Sequence, residues 1–511
     1  MRPMNQGAAA SATTPEERPE ADRNPHAGDE GSEHRRILWA LVVVVGAFIL
    51  LRPITSSLWL DELGTWWVVK DGVRDVVSRS WEIQGQSPLF YLMAWVTSWV
   101  TGPREWALRI PSLASMLVAA AVLYRLARRV VDPEYGRLTV LMFVVWPSVA
   151  FAAVDFRPYA LATLLTVLTV VAYLDWIDRR DLRWAVVFVL AAAATIYVHY
   201  VFGLVVVALA GYSVWRRRSG LTTPPVPWLF ATFASVTILC VPLVVQVVDL
   251  WGRRGQWTQG FPLSVDWVAA VVAPSFLVLG AGVGCLLAAA TGNLFLRRVT
   301  APAGFVPLLV FWIAVPLSVL ILVTLFTNAD LAIARYALVF APGAVLSIAL
   351  LLRSVHPATG RRIIALCVGI GAIIALARVH HAADWRGSIS AANAIADERS
   401  LVIVQPGFTE SGQDSWLQDP ERRSFLLAPL SLYSVEGKVV LLPRQLDPVS
   451  EQQLRQQIQD GAVSASNVVL INGGILDAWV EEVLGADAWS ERPVPTADEP
   501  SVVEFTRNGS G

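Results

Sequence analysis

The sequence predicts a polytopic α-helical membrane protein of about eleven spans, followed by a small C-terminal α/β domain. Of the 511 residues, 55% are hydrophobic and only 16% are charged, whereas about a quarter of the residues in soluble proteins are charged. The mean hydropathy of the chain is +0.53. Hydropathy falls from His380 onward, where strand-like and helix-like runs alternate. A formal net charge of -1 argues against a nucleic-acid partner.

The membrane domain is predicted over 35–379. Residues 1–34 nearly lack large apolar side chains, so we expect a disordered cytoplasmic tail. Arg35 and Arg36 precede the first apolar run, which we interpret as an uncleaved span rather than a signal peptide. A span needs about 20 apolar residues, and the candidate spans are 37–54, 107–127, 138–154, 158–176, 184–199, 201–215, 226–248, 268–292, 303–326, 331–352 and 363–379.

Arginine predicts the orientation of these spans, because short cytoplasmic loops are enriched in Lys and Arg. With the N-terminus inside, every inside turn carries at least two arginines, and an odd number of spans places the C-terminal segment outside. The helical run 88–100 is too short to cross and is expected at the outer interface. Residues 184–215 have to cross twice in two short helices. Their tip, at His199 and Tyr200, is therefore expected to be recessed below the outer surface.

The soluble segment 380–511 is predicted to be a small extracytoplasmic α/β domain. The expected strands are 401–405, 438–442, 467–471 and 501–505, and the expected helices are 386–398, 449–460 and 475–484. Asn472-Gly473-Gly474 follows a strand but lacks the glycine spacing of a nucleotide site. The three cysteines, Cys240, Cys285 and Cys367, lie far apart in apolar runs, so no disulfide framework or Cys-based metal site is expected.

Ionisable residues at the ends of the spans are candidates for function, because charge within a membrane is costly. Asp61 and Glu62 lie in an acidic first outer loop over 55–106, among apolar neighbours. Partial burial of this carboxylate pair is expected. The alternative is an interfacial turn of solvated acids.

Further candidates lie on the same predicted outer face. Asp155 ends the third span, and Arg157 and Tyr159 open the fourth; a local ion pair between the first two is the alternative. His199 lies at the recessed tip, where a structural role is the alternative. Arg335-Tyr336 lie one turn into the tenth span, where the alternative is an arginine that extends to the interface. Together these residues describe an outward polar site for a substrate with a lipid tail, a phosphate and a polar head group, since arginine binds phosphate through a rigid fork of donors.

A series of motifs over 37–215 resembles a known family. The motifs are Trp59-Leu60-Asp61-Glu62, Ser87-Pro88-Leu89-Phe90-Tyr91, Glu105-Trp106-Ala107-Leu108-Arg109-Ile110-Pro111-Ser112 and Tyr124-Arg125-Leu126-Ala127-Arg128-Arg129. As a series they resemble the opening of the GT-C glycosyltransferases of the protein O-mannosyltransferase and aminoarabinose transferase type. Phe156-Arg157-Pro158-Tyr159, Tyr197-Val198-His199-Tyr200 and Arg335-Tyr336 resemble elements of family-39-like bacterial members.

The sequence also departs from this family. Ser87 replaces the first proline of a Pro-Pro pair, and Gln86 stands where aminoarabinose transferases carry Lys, which puts their style of metal or phosphate contact in doubt. Trp66-Trp67 are followed by Val-Val, so the Trp-Trp-Asp signature of oligosaccharyltransferases is absent. Transfer of a preassembled oligosaccharide to Asn is therefore not expected.

The resemblance implies a glycosyltransferase of the bacterial plasma membrane and cell envelope. It would move mannose or another hexose or pentose from a polyprenyl-phosphate sugar to an extracytoplasmic glycan, lipid or protein. Attack of a hydroxyl on the anomeric carbon needs a base, and a carboxylate can serve. Asp61 is expected to be that base, with Asp155 as the alternative, and Glu62 to orient the loop, the acceptor or a divalent cation. The outcome should be inversion by direct displacement.

No cofactor follows from the sequence. If a divalent cation takes part, Asp61 and Glu62 are its candidate ligands. A flippase or transporter for a lipid-linked sugar is the alternative function, but such proteins often show internal repeats, and no matching halves are found here. An O-antigen ligase or polymerase normally has its large loop late between spans, whereas the prominent loop of this chain is early.

Overall fold

The computed structural model describes residues 27–51, 53–252, 275–327, 329, 331, 333–376, 383–412, 414–472 and 476–508. Most of the predicted N-terminal tail, and the start of the predicted span 268–292, lie outside these residues. The first helix, α1 (Ala27–Leu51), begins before the predicted boundary at residue 35. Residues 27–34, predicted within the tail, are thus helical, because a helix that has formed in the apolar run is extended at little cost.

The membrane domain continues as a series of helices. Four helices form the first outer loop and the entry to the next span: α2 (Leu60–Val69), α3 (Val73–Glu82), α4 (Leu89–Thr101) and α5 (Glu105–Leu108). The following helices are α6 (Ile110–Val130), α7 (Pro133–Val144), α8 (Pro147–Ala153), α9 (Tyr159–Arg179), α10 (Leu182–Val198), α11 (Leu204–Arg218), α12 (Val226–Cys240), α13 (Leu243–Gly252), α14 (Ser275–Thr291), α15 (Phe305–Phe326), α16 (Ala341–Ser354) and α17 (Ala358–Leu376). Short 3-10 helices lie at Pro53–Thr55, Tyr200–Gly203 and Ala334–Val339.

Several of these helices are long and apolar enough to cross a bilayer. In the described part of the chain there are five, or up to seven if α7 with α8 and α12 with α13, bent by 72° and 64°, each count as one span. The helix α4 has 13 residues, which agrees with the short helix predicted over 88–100. The prediction of eleven spans stays a prediction, since α4, α10, the apolar part of α14 and α16 are shorter apolar helices.

The outer faces of these helices are apolar. Phe230, Leu286 and Phe326 are 76%, 74% and 80% exposed, far more than a water-soluble surface would favour for such side chains. The inner faces bury large aromatic residues, among them Trp146, Trp176, Trp312, Tyr173 and Tyr212. The chain is therefore built as a multi-pass membrane protein, with lipid as the solvent of its outer faces.

Proline and polar contacts shape the bundle locally. Pro147 begins α8 directly after the bend from α7. A break in the helix is expected there, because the proline nitrogen has no hydrogen to donate to a helical hydrogen bond. Tyr135 Oη donates to Leu346 O at 2.9 Å and joins α7 to α16. Trp312 Nε1 donates to Val339 O at 3.0 Å, which holds the 3-10 helix Ala334–Val339 against α15. The predicted span 331–352 is thus broken, and its first part is not α-helical.

The helices α6 and α9 begin at the polar cluster that is described in the next subsection, and they end at ion pairs. Near their ends, Arg129 pairs with Asp175 at 2.7 Å. At the neighbouring turns Arg353 pairs with Asp132, and Arg361 with Glu134, each at 2.7 Å. These arginines belong to the set predicted on the inside turns.

The C-terminal domain contains a five-stranded sheet in the order β4-β3-β5-β7-β6. The strands are β3 (Leu401–Gln405), β4 (Lys438–Leu441), β5 (Val468–Asn472), β6 (Trp489–Val494) and β7 (Ser501–Arg507), while β1 (Phe295–Leu296) and β2 (Val355–His356) form a separate pair. β3 is parallel to β4 and β5, and β7 is antiparallel to β5 and β6. The two central strands β3 and β5 are buried throughout.

The helices of this domain are α18 (Trp385–Asn393), α19 (Asp414–Gln418), α20 (Pro420–Leu426), α21 (Ala428–Leu432), α22 (Pro448–Ser464) and α23 (Asp477–Leu484), and a 3-10 helix spans Thr409–Gly412. Four strands and three helices match the predicted runs within a few residues. The strand β6 was not predicted, because it is a largely exposed edge strand that contains Pro493. The helices α19 to α21 have only five to seven residues, too few for a periodic pattern.

The first outer loop packs against the C-terminal domain in one continuous apolar core. The Trp67 and Phe425 rings lie 5.5 Å apart, and Trp67 Nε1 donates to Ser424 Oγ at 3.0 Å. Leu58 N–H donates to Tyr433 Oη at 3.1 Å. The loop is therefore held between the helical bundle and the C-terminal domain, and this contact positions the polar cluster described next.

Candidate active site

The first outer loop is anchored by a fully buried ion pair between Glu62 and Arg109. Arg109 Nε and Nη2 lie 2.8 and 2.6 Å from Glu62 Oε1 and Oε2, and neither side chain is exposed. Phe156 N–H donates to Oε1 at 2.7 Å, and Trp59 N–H donates to Oε2 at 3.2 Å. The pair therefore joins the start of α2, the start of α6 and the segment before α9.

The other donors of Arg109 hold the chain that follows α1. Its Nη1 donates to the carbonyls of Pro53, Ile54 and Ser56 at 3.1, 3.0 and 2.8 Å. Its Nη2 donates to Ser57 O at 3.0 Å. Glu62, predicted among the catalytic residues, is sealed from substrate, and both of its oxygens are already engaged. The predicted role of Glu62 in orienting the loop, the acceptor or a divalent cation stays a prediction.

Asp61 lies next to Glu62 on α2 but faces a different direction and has a different partner. Its Oδ2 lies 2.7 Å from Arg335 Nη1, and the two side chains are 28% and 25% exposed. Arg335 comes from the 3-10 helix Ala334–Val339, and its guanidinium carbon lies 5.5 Å from the centre of the Tyr159 ring. Asp61 is thus the member of the acidic pair that a substrate can reach.

Arg157 is a buried guanidinium whose hydrogen-bond partners are uncharged. Its Nη1 donates to Asp61 O at 3.3 Å, to Thr65 Oγ1 at 3.2 Å and to Gln84 Oε1 at 3.2 Å. Its Nε has no hydrogen-bond partner among the described residues. The local ion pair with Asp155, which was the alternative for these residues, is not formed, and the guanidinium retains a donor for an anion.

Asp155 is completely buried. Trp59 Nε1 donates to its Oδ1 at 3.0 Å, while Oδ2 has no partner in the described part of the chain. Burial, together with the negative charge of Glu62, raises the pKa of Asp155 well above the usual value of a carboxyl. Asp155 is therefore a poorer candidate than Asp61 for a base that meets an incoming hydroxyl.

Three aromatic rings border this charged cluster. The Tyr159 ring lies 5.2 Å from the His199 ring, and the His199 ring lies 5.3 Å from the Tyr336 ring. His199 Nδ1 is buried and has no partner among the residues described. The first outer loop contacts the helix just before the tip that was predicted to be recessed, since Ser87 Oγ donates to Tyr197 O.

The structure brings all eight predicted site residues into one cluster. Asp61, Glu62, Asp155, Arg157, Tyr159, His199, Arg335 and Tyr336 are connected by the contacts given above. Within the described residues no group of three or more His, Cys, Asp or Glu side chains could hold a metal ion. The roles of the eight residues are taken up below as proposals.

Other residues of the cluster were not among the predicted site residues. Thr65 lies one helical turn after Asp61, and this i to i+4 spacing was a usable signal. Arg109 lies within a motif quoted for the family resemblance, but nothing in the sequence pairs it with Glu62. Gln84 carries no sequence signal, because only the folded chain brings it to Arg157.

Comparisons with known proteins support the resemblance at the level of the fold. A model of the family described as dolichyl-phosphate-mannose-protein mannosyltransferase matches residues 85–245, which is less than half of the chain. Comparison with curated proteins finds no match.

Two solved structures of ArnT from Cupriavidus metallidurans are similar to this chain. The apo structure has a TM-score of 0.54 and 12% identity, and covers 93% of this chain and 98% of its own. The structure bound to undecaprenyl phosphate has a TM-score of 0.53 and 13% identity, and covers 92% of this chain and 97% of its own. The likeness extends over both domains, and the chain shares the fold of these ArnT structures.

The buried ion pair between Glu62 and Arg109 is expected to stabilise the folded protein. Glu62→Gln should lower the free energy of unfolding by about 3–5 kcal/mol, because Arg109 would keep a buried charge without its partner. Thermal unfolding of the detergent-solubilised protein, followed by tryptophan fluorescence, measures the effect.

The matched control is Asp61→Asn at the neighbouring position. The ion pair of Asp61 is partly exposed, and such pairs contribute about 0–1 kcal/mol. A Tm for Glu62→Gln as high as that of Asp61→Asn would contradict the anchoring role of the buried pair.

Proposed function

We propose that this chain is an inverting membrane glycosyltransferase. It moves a sugar, a hexose such as mannose or a pentose, from a polyprenyl-phosphate donor to an extracytoplasmic acceptor. The observation that carries the proposal is the arrangement at Asp61. This reachable carboxylate lies beside two guanidiniums, those of Arg335 and Arg157. The hydrogen bonds of Arg157 go to uncharged groups. This arrangement pairs a base with donors for a phosphate.

The two arginines would bind the phosphate of the donor. A buried guanidinium with neutral partners attracts an anion strongly, because desolvated charge is weakly screened. The planar fork of arginine matches two phosphate oxygens at once. The similar ArnT structure bound to undecaprenyl phosphate supports a polyprenyl phosphate as the lipid part of the donor.

Asp61 would act as the base. The acceptor oxygen forms a bond to the anomeric carbon while the bond from that carbon to the phosphate oxygen breaks, and the hydroxyl proton passes to Asp61. The leaving group is polyprenyl phosphate, whose charge the guanidiniums stabilise. One displacement inverts the anomeric centre. A phosphate at Arg335 competes with Asp61 for that guanidinium, so donor binding would release the carboxylate for its role as the base.

Tyr159, His199 and Tyr336 would bind the sugar. Their rings form an amphipathic wall next to Arg335, with apolar faces and polar atoms on one surface. The unpartnered Nδ1 of His199 is available to a sugar hydroxyl. The sugar ring would then lie between these aromatic side chains and Asp61.

A flippase or transporter fits this geometry less well. Transporters bind substrate near the middle of the bilayer, between two repeats. Here the polar cluster lies where α6 and α9 begin, and the C-terminal domain packs on the adjoining loop. A one-sided site of this kind suits an enzyme whose donor and acceptor meet at one surface.

We also propose that the N-terminus is cytoplasmic and that the site and the C-terminal domain lie outside, in a bacterial plasma membrane. The arginine-rich turns support this orientation. Reporter enzymes fused after residue 60 and after residue 385 should be active outside, and one fused after Arg218 should be active inside. An inside signal at residue 385 would overturn the shared outer location of the site and the domain.

The base assignment predicts that Asp61→Asn abolishes transfer. Replacing a positioned base should reduce the rate by about 10²–10⁴-fold, without loss of expression or of undecaprenyl phosphate binding. The measurement is mass spectrometry of envelope lipids and glycans from a deletion strain that expresses each variant.

Asp75→Asn is the control, since Asp75 lies on the same outer loop but caps α3 through Gly72 N–H at 3.2 Å. Near-native transfer by Asp61→Asn, together with an inactive Asp155→Asn, would move the base to Asp155.

Phosphate recognition predicts the effect of Arg157→Lys. Lysine keeps the charge but loses the fork, so the affinity for undecaprenyl phosphate should fall about tenfold or more, as expected for hydrogen bonds to charged groups. Arg335→Lys should act in the same direction. Binding can be measured by calorimetry on the purified protein, with the exposed Arg74→Lys as control. Equal affinity in Arg157→Lys and Arg74→Lys would remove Arg157 from the phosphate site.

A further inference from the structure

A basic cavity lies at the opposite end of α6 from the buried pair of Glu62 and Arg109. Its volume is about 290 Å³, and its polar lining consists of Asp132, Arg297, Arg298, Thr300, Arg353 and His356. The helix α6 begins next to Arg109 and ends two residues before Asp132. Its 21 residues span about 30 Å. The cavity is therefore separate from the proposed active site.

The backbone holds the arginines of this basic cavity together. The strand β1 pairs with β2, and Arg297 N–H donates to Ser354 O at 2.8 Å. This contact fixes Arg297 and the neighbouring Arg298 beside the end of α16, which carries Arg353. Like charges that are held close together repel each other, and a cleft lined by charge of one sign concentrates its potential. The cavity therefore attracts an anion.

The acidic residues next to the cavity do not neutralise it. Asp132 Oδ2 lies 2.7 Å from Arg353 Nη2, and Glu134 Oε1 lies 2.7 Å from Arg361 Nη2. In the part of the chain that the structure describes, no carboxylate forms an ion pair with either of the two arginines that follow β1. Three arginines and one carboxylate line the cavity, so its net charge is positive even when His356 is neutral.

Exposed apolar side chains lie next to the cavity. Phe295 and Leu296 form β1, directly before the two arginines, and are 59% and 75% exposed. Leu286 and Leu287, near the end of α14, are exposed as well. Side chains of this kind are suited to lipid rather than to water. An anion that carries apolar chains can place its charge in the cavity and its chains along these residues, whereas a free inorganic anion uses the cavity alone.

We propose that the basic cavity binds the phosphate group of an anionic phospholipid. Arg297 and Arg298 bind the phosphate oxygens through their planar forks, and the hydroxyl of Thr300 can donate a further hydrogen bond. Small-molecule sites have volumes of about 300–1,000 Å³, so a cavity at the lower end of this range suits a head group. In the orientation proposed above, the lipid belongs to the cytoplasmic leaflet, where basic pockets between membrane helices bind anionic head groups.

The test measures binding of phosphatidylglycerol to the full-length protein in a neutral detergent by native mass spectrometry. Arg297→Gln/Arg298→Gln should weaken this binding by about 10- to 100-fold, the effect expected for hydrogen bonds to charged groups. The affinity for undecaprenyl phosphate should stay unchanged, because the proposed donor site lies at the other end of α6. The matched control is Arg217→Gln/Arg218→Gln, which removes two exposed charges from the end of α11 and should leave phosphatidylglycerol binding unchanged.

A second variant, Arg297→Lys/Arg298→Lys, separates lipid binding from an effect on folding or topology. It keeps both positive charges, and with them the orientation signal of the turn, but it loses the guanidinium forks. The affinity for phosphatidylglycerol should fall severalfold while the Tm stays at the wild-type value. An unchanged affinity in both variants at Arg297 and Arg298 would overturn the site.

The remaining outcomes decide what the cavity recognises. Equal losses in Arg297→Gln/Arg298→Gln and in Arg217→Gln/Arg218→Gln would reduce the effect to net charge and overturn the proposal. Binding of zwitterionic phosphatidylcholine as tight as that of phosphatidylglycerol would contradict a site for an anionic lipid. Displacement of phosphatidylglycerol by an equal concentration of inorganic phosphate would make a free anion the ligand, and the lipid would be excluded. The proposed transferase is tested separately, by Asp61→Asn.

Discussion

The buried ion pair between Glu62 and Arg109 is the constraint on which the polar cluster depends. It joins four stretches of chain: the turn after α1, the start of α2, the start of α6 and the segment before α9. Successive residues of a helix project about 100° apart, so when Glu62 is fixed inward, Asp61 has to face elsewhere. The exposure of Asp61, and its approach to Arg335, follow from the burial of its neighbour.

Three carboxyl groups near one another acquire different properties from their surroundings alone. Glu62 is paired and sealed, Asp155 is buried beside a tryptophan, and Asp61 is partly exposed and paired with Arg335. Differences in environment commonly give chemically identical groups different roles. The two arginines also differ in their surroundings, since Arg335 is already paired with a carboxylate and Arg157 is not.

Much of this arrangement could be predicted from the sequence, because the membrane simplifies the problem. Each predicted span overlaps a helix or a bent pair of helices, since apolar length is a strong signal. Charges at the span ends could be named as site residues because they are costly there. The contacts between distant segments could not be predicted. The pairing of Glu62 with Arg109 spans 47 residues, and Gln84 lies in a stretch without a motif. Local breaks also escaped prediction, such as the 3-10 helix that presents Arg335, where the hydropathy continues across the break.

The dependence of the first loop on the C-terminal domain has a consequence for biosynthesis. Trp67 and its partner Ser424 are 357 residues apart, and at about 5–20 residues per second the ribosome needs roughly 20–70 s to reach the second after the first. During that time the apolar face of α2 lacks its packing partners in the C-terminal domain, and the first outer loop lacks the contacts that hold it in place. The membrane helices are made before the C-terminal domain, so the contacts of Trp67 with that domain form only when the last quarter of the chain has been made. A chain that ends before residue 424 therefore leaves Trp67 without its partners Ser424 and Phe425.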